Sequence, residues 1–135
     1  VRYGNIEQLT DDHSVVAEQV KRELITREEA SRSEIKNILT RALGTEPEVE
    51  VDLEEMTLLD GDILVLCSDG LSNMVSDDDI LSAVLSVRDP ETAGRTLVKT
   101  ANERGGLDNI TVIVAYLAGT GWLASLINFF KGRRR

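Results

Sequence analysis

The sequence predicts an α+β fold in which helices lie over a sheet. Two short runs of branched apolar residues, 63–67 and 110–116, have the composition of β-strands. Between them are two stretches, 76–85 and 89–101, in which capping side chains are followed by apolar residues at helical spacing. The order of strand, helix, helix, strand fits a sheet covered by helices.

The first strand ends in a turn that carries a carboxylate. Residues 63–67 form an unbroken apolar run, so we expect a strand buried on both faces, with Cys67 as an inert packing residue. Ser68, Asp69 and Gly70 then end the strand. Because Gly70 has no Cβ, the backbone can bend sharply and direct Asp69 away from the core.

The second strand is preceded by another carboxylate. Asp89 and Pro90 begin a helix that Gly105 closes, and Asp108 leads into the strand. Two Asp carboxylates at neighbouring strand ends repel each other unless a cation lies between them, and Mg²⁺ or Mn²⁺ suits such oxygen ligands. The alternative is that Asp69 and Asp108 only cap their turns, since Asp-Gly and Asp-Asn are common turn dipeptides.

The sequence resembles the metal-dependent protein phosphatases of the type 2C (PPM) family, in the bacterial serine/threonine phosphatase branch. The resemblance covers about residues 3–117 and rests on blocks that occur in the family order. These are 7–14, 37–44, 61–62, 67–71 and 101–111. It implies a part of a four-layer αββα fold, in which helices flank a central antiparallel β-sandwich.

The resemblance also implies a site. Asp69 and Asp108 match the family's two C-terminal metal-binding aspartates, which share one Mg²⁺ or Mn²⁺ of a binuclear centre. Ser68, Gly70 and Asn109 lie near this site, with Asn109 a neighbour of the metal and not a ligand. No catalytic residue is assigned to the chain itself. The implied substrates are phosphorylated proteins, including substrates of bacterial Ser/Thr kinases.

Several family features do not occur in this sequence. They are the phosphate-binding Arg, the Asp that bridges the two metals, an Asp-Gly pair and a Gly-Asp-Ser-Arg block; residues 1–5 look like the hairpin that follows that block. We therefore expect residues 1–117 to be the C-terminal portion of a type 2C phosphatase domain, inactive or weak in metal binding by itself. The alternative is a non-catalytic, phosphatase-like interaction module; a phosphatase of a stress or sporulation switch is a weaker one.

Composition narrows the class of protein. The chain has 135 residues, 41% of them hydrophobic, and a formal net charge of −9, which argues against a nucleic-acid partner. It is predicted to be cytoplasmic. Residues 118–135 are predicted to form a Gly-rich linker, a short apolar segment and a basic tail. Residues 121–135 could make weak contact with a membrane surface or form only a terminal helix or flexible tail.

The sequence of the N-terminal part predicts two helices and a half-exposed strand on the surface. Capping side chains at 11–14 precede one helix, and Thr26 and Glu29 form a capping box for another. Residues 48–53 alternate polar and apolar side chains as a half-exposed strand would. The only histidine, His13, is either a proton donor or metal ligand, or a hydrogen-bonding residue that holds its turn.

Overall fold

The computed structural model describes residues 1–36, 38–45 and 47–118. Within them the chain forms two compact units. We call residues 1–7 and 56–118 the sheet unit and Gln8–Glu55 the inserted unit. The elements are α1 (Val15–Lys21), α2 (Arg27–Arg32), β1 (Ile63–Cys67), α3 (Asp69–Ser72), α4 (Asp77–Ser86), α5 (Pro90–Glu103) and β2 (Val112–Tyr116).

The sheet unit is built on an antiparallel pair of strands. β1 and β2 pair in a register that places Ile63 opposite Tyr116 and Cys67 opposite Val112. The predicted order of strand, helix, helix, strand is confirmed, with the short helix α3 added directly after β1. The predicted α+β class is therefore confirmed for the sheet unit.

One face of the sheet packs against the helices. The buried core of this unit contains Ile63, Leu71, Val75, Ile80, Val84, Ala93, Leu97 and Ala101. The hydroxyl of Tyr116 lies 2.7 Å from the carbonyl oxygen of Val84 and 3.1 Å from that of Val87, at the C-terminal end of α4. Tyr116 thus ties β2 to carbonyl groups that a helix end leaves without intrahelical donors.

The other face of the sheet is exposed, contrary to the sequence prediction. Leu66 and Ile113 are opposite each other in the register and are 56% and 58% exposed. Cys67, at the end of β1, is exposed although it pairs with Val112 on the face that packs against the helices, so the prediction that it is a packing residue is wrong. The apolar run predicts a covering layer for both faces, but the helices of this unit cover only one. A strand is buried on both faces only where other elements cover each face of its sheet. The composition of the strand does not determine whether those elements are present.

The first residues form a hairpin turn that pairs with the other edge of β1. Arg2 bridges Asn5, and Tyr3 and Gly4 have φ of 51° and 77°, the positive values typical of a tight hairpin turn. The amino group of Val1 donates to the carbonyl of Ile63 at 2.7 Å, and the amide of Ile63 donates back at 3.0 Å. β1 therefore has β2 on one side and the first residue of the chain on the other.

Arg2 and Asp62 hold this edge together, and we expect them to make stability depend on acid. Arg2 donates to both oxygens of the buried Asp62 carboxylate, and the amide of Leu59 donates to it at 2.7 Å. These hydrogen bonds, with Arg2 contributing most, lower the pKa of Asp62 from 3.8 to about 2. Since the pKa is lower in the folded chain, this stabilisation is present above about pH 4 and is lost as pH falls toward 2.

Urea unfolding at a series of pH values tests this expectation. The free energy of unfolding of the unmodified chain should fall between about pH 4 and 2, and Asp62→Asn should make that fall smaller. The control is Asp78→Asn, an exposed carboxylate in the first turn of α4. Identical pH profiles for Asp62→Asn and the unmodified chain would contradict the assignment.

The inserted unit has few buried residues. The Ser14 side chain accepts a hydrogen bond from Ala17 and caps α1, and the Thr26–Glu29 capping box opens α2, so both predicted caps are confirmed. The predicted strand at 48–53 does not form, since residues 49–59 have no regular secondary structure. A strand needs backbone partners as well as alternating side chains, and this segment has side-chain links instead.

No helix in residues 1–36, 38–45 and 47–118 is long and apolar enough to cross a bilayer. Of the predicted linker and tail at 118–135, residues 119–135 lie outside the described residues, so the membrane contact of residues 121–135 stays a prediction.

Candidate metal centre

Asp69 lies at the start of α3, in the turn that follows β1. β1 ends at Cys67, Ser68 takes the N-cap position of α3, and Asp69 is the first residue of that helix. Leu71 anchors the turn because its side chain is completely buried in the core. The Asp69 side chain is exposed, as the sequence predicts.

Asp108 lies in the loop between α5 and β2. α5 ends at Glu103, and the next two glycines, Gly105 and Gly106, have φ of 130° and 54°. The amide of Gly106 donates to the carbonyl of Ala101, which closes the helix as predicted. Asp108 is exposed, and one of its carboxylate oxygens accepts the amide of Asn109 at 2.6 Å.

The structure joins these two turns by direct contacts. The amide of Ser68 donates to the carbonyl of Thr111 at 3.0 Å, and the Ser68 hydroxyl donates to the carbonyl of Asn109 at 3.0 Å. Gly70 also lies against Asn109, so closely that a Cβ on Gly70 would be 2.3 Å from the Asn109 carbonyl oxygen. Asp69 is thus flanked by two residues that touch Asn109, and Asp108 directly precedes Asn109.

Both carboxylates are available to a cation. Neither Asp69 nor Asp108 forms an ion pair with a Lys or Arg of the described residues. Two anionic side chains on joined turns provide oxygen ligands, which Mg²⁺ and Mn²⁺ prefer. The donor set therefore fits a hard divalent cation.

The described residues do not form a complete metal centre. They contain no group of three or more His, Cys, Asp or Glu side chains arranged to hold a metal ion. Mg²⁺ keeps several waters and is often held by one or two carboxylates, so two aspartates can contribute to a site without completing a binuclear one.

His13 belongs to a separate polar cluster in the inserted unit. Its Nε2 lies 2.7 Å from an Asp52 carboxylate oxygen and 2.9 Å from an Arg41 guanidinium nitrogen. Arg41 also donates to Asp52 at 2.8 Å. The hydrogen bond with His13, followed by that with Arg41, lowers the pKa of Asp52. These contacts favour the hydrogen-bonding interpretation of His13, although its partners are distant in sequence and not in its own turn.

Two basic side chains at the C-terminal end of α1 pair with acidic ones. Lys21 pairs with Asp11 at 2.6 Å, and Arg22 lies 3.6 Å from Glu18. Both basic side chains are more than 70% exposed. These ion pairs belong to an exposed surface that carries both basic and acidic side chains.

The chain is similar to known proteins over most of its length. Residues 7–117 match the family model described as stage II sporulation protein E (SpoIIE). Over 112 residues the chain is 44% identical to the protein phosphatase PhpP of Streptococcus pneumoniae serotype 2 (strain D39), covering 83% of this chain and 46% of that protein. The chain spans about half the length of the curated relatives it matches.

Solved structures show the same fold. The serine/threonine phosphatase of S. agalactiae matches with a TM-score of 0.80 and 44% identity, over 86% of this chain and 48% of that one. The catalytic domain of the serine/threonine protein phosphatase PstP, solved in complex with two manganese ions, matches with a TM-score of 0.71 and 38% identity, over 87% of this chain and 48% of that one. The predicted fold class, part of a type 2C phosphatase fold, is confirmed.

Proposed function

Since the chain belongs to the metal-dependent protein phosphatase family of type 2C (PPM), in its bacterial serine/threonine branch, we propose that it supplies the C-terminal half of a catalytic domain. The reaction is hydrolysis of phosphoserine and phosphothreonine in proteins, with Mg²⁺ or Mn²⁺ as cofactor. The observation that supports the proposal is the junction of the two turns, in which Ser68 and Gly70, the neighbours of Asp69, contact Asn109, the neighbour of Asp108.

Asp69 and Asp108 would hold one cation of the pair through their carboxylate oxygens. A metal pair of this kind supplies a bound water of lowered pKa and neutralises charge on the phosphoryl oxygens. What this chain contributes is orientation: the buried Leu71 fixes the turn of Asp69, and the hydrogen bond from the Asn109 amide orients one oxygen of Asp108. Ser68, Gly70 and Asn109 shape the site without holding the metal.

Two features of the sheet unit support the proposal that the other half of the domain packs against it. Val1 exchanges hydrogen bonds with Ile63, so a segment leading into Val1 would run antiparallel along the edge of β1. The exposed face around Leu66 and Ile113 is apolar and would be covered by a second sheet. Both features fit the observation that the chain spans about half the length of its relatives.

The proposal also includes the bounds of the phosphatase portion, its substrates and its metal. We propose residues 1–117 as the phosphatase portion and residues 118–135 as linker and tail. The substrates are phosphorylated proteins of the cytoplasm, including those modified by bacterial Ser/Thr kinases. Both Mg²⁺ and Mn²⁺ suit the two aspartates, and Mn²⁺ is the ion bound in the solved PstP catalytic domain.

Mn²⁺ binding and phosphopeptide hydrolysis test this function. In the complete enzyme that carries this segment, Asp69→Asn and Asp108→Asn should each lower Mn²⁺-dependent hydrolysis by about a hundredfold or more, because loss of a ligand exceeds the usual effect of losing a supporting residue. The matched control, Asp78→Asn, removes an equivalent exposed charge at the start of α4 and should leave activity unchanged.

The 135-residue chain alone should bind Mn²⁺ weakly and hydrolyse no phosphopeptide. Hydrolysis by this chain alone that Asp69→Ala abolishes would overturn the view that it holds only half of the site. An intact enzyme whose activity is indifferent to both Asp69→Asn and Asp108→Asn would favour the interaction-module alternative.

A further inference from the structure

We infer that Ser68 is a positioning residue whose hydroxyl sets the separation of the Asp69 and Asp108 carboxylates. The inference rests on the proposed metal site. It assigns to Ser68 a function that its position in the sequence does not suggest, since a serine before a short helix ordinarily caps that helix.

The Ser68 hydroxyl does not cap α3. Ser68 occupies the N-cap position of that helix, but its side chain makes no capping hydrogen bond. Ser14 and Ser76, at the same position of α1 and α4, accept hydrogen bonds from Ala17 and Asp79 in the usual way. Ser68 therefore differs from the chain's other N-cap serines in where its hydroxyl is directed.

That hydroxyl instead bridges to the loop that carries Asp108. It donates to the carbonyl of Asn109 at 3.0 Å and accepts from the amide of Thr111 at 3.0 Å, across 41 and 43 residues of sequence. The Ser68 amide adds a third bond to the carbonyl of Thr111, also at 3.0 Å. The donor proton of the hydroxyl is used, and so is one of its acceptor sites.

The bridge continues the strand pairing beyond its natural end. β1 and β2 pair through Cys67 and Val112, and the backbone of Ser68 adds one more bond to Thr111 before the chain turns into α3. Beyond this bond, the Ser68 hydroxyl reaches the carbonyl of Asn109. The link therefore lies one residue from each proposed ligand.

Loss of this bridge should act on metal affinity. Without the hydroxyl, the Asn109 carbonyl and the Thr111 amide lose a partner, and the Asp108 loop gains freedom relative to the Asp69 turn. Supporting residues that orient metal ligands typically change affinity by about 10–100-fold when they are replaced. We expect a weakening of that size for Ser68→Ala, with both carboxylates still present.

The test is a Mn²⁺ titration of the 135-residue chain, followed by paramagnetic broadening of NMR signals, together with amide hydrogen exchange. Ser68→Ala should weaken Mn²⁺ binding about 10–100-fold and speed exchange of the Thr111 amide. Ser68→Thr, which keeps the hydroxyl, should restore both. Ser76→Ala removes a capping hydroxyl from α4 and should leave Mn²⁺ affinity and Thr111 exchange unchanged.

The outcomes separate this inference from the proposed function. If Asp69→Asn weakens Mn²⁺ binding but Ser68→Ala does not, the metal site stands and the positioning role is wrong. If neither Asp69→Asn nor Ser68→Ala changes Mn²⁺ binding, the proposed site fails and the inference with it. Equal losses of affinity in Ser68→Ala and Ser76→Ala would mean a general effect of stability and would also overturn the inference.

Discussion

Replacing Gly70 with alanine should separate the two turns of the candidate metal centre. The new Cβ would be 2.3 Å from the carbonyl oxygen of Asn109 and 3.0 Å from its carbonyl carbon, and both are backbone atoms that cannot rotate away. The Asp69 turn or the Asn109 loop must therefore move. We expect a loss of about 1–3 kcal/mol in the free energy of unfolding, as for other overpacked sites, and a loss of Mn²⁺ binding.

The matched control is Gly94→Ala in the interior of α5. A Cβ at Gly94 would meet only Val114, at an ordinary 3.9 Å. Because alanine has a higher helix propensity than glycine, this change should stabilise the chain by about 0.5–1 kcal/mol. Both glycines are helical, so helix propensity predicts the same sign for both substitutions. Opposite signs in urea unfolding would show that the contact with Asn109 decides the outcome; equal gains would contradict the close approach.

Replacing Leu97 with alanine should have the largest effect on stability. Leu97 is 1% exposed in the middle of α5, in the core that joins the helices to the sheet. Removal of a buried leucine side chain costs about 2–5 kcal/mol. Since single domains have total stabilities of about 5–15 kcal/mol, this one substitution should remove a large share. The measurement is the midpoint and slope of urea unfolding followed by circular dichroism.

Leu85→Ala in α4 is the control for Leu97→Ala. The Leu85 side chain is 53% exposed, so its truncation should cost about 1 kcal/mol or less. The sequence assigns both leucines to apolar helix faces, and only the structure ranks them. Comparable losses from the two substitutions would show that the core does not lie where the structure places it.

Helix starts were predictable from the sequence because their contacts are local. Ser14, Thr26, Ser76 and Asp89 each accept a hydrogen bond from an amide three residues later. A contact of this range joins residues that are close together in the sequence. The two strands were predictable for a related reason, since branched apolar side chains favour extended backbone wherever a partner strand exists.

Burial was less predictable because it depends on layers from elsewhere. The exposed Leu66 belongs to a run that predicts a fully buried strand. The alternation at 48–53 predicts a strand that does not form. In both cases the side-chain pattern is suitable, but a covering layer or a partner strand is missing from the described part of the chain.

For the candidate site, the sequence by itself determined which residues are candidate ligands. It predicted Asp69 and Asp108 as oxygen ligands at strand ends and identified the family through ordered blocks. The tertiary structure decided how the two are held together. Ser68 looks like a cap and Gly70 like a turn residue, but their decisive contacts are with Asn109 and Thr111, about forty residues away along the chain. Such contacts exist only once the strands have paired, so no local pattern could specify them.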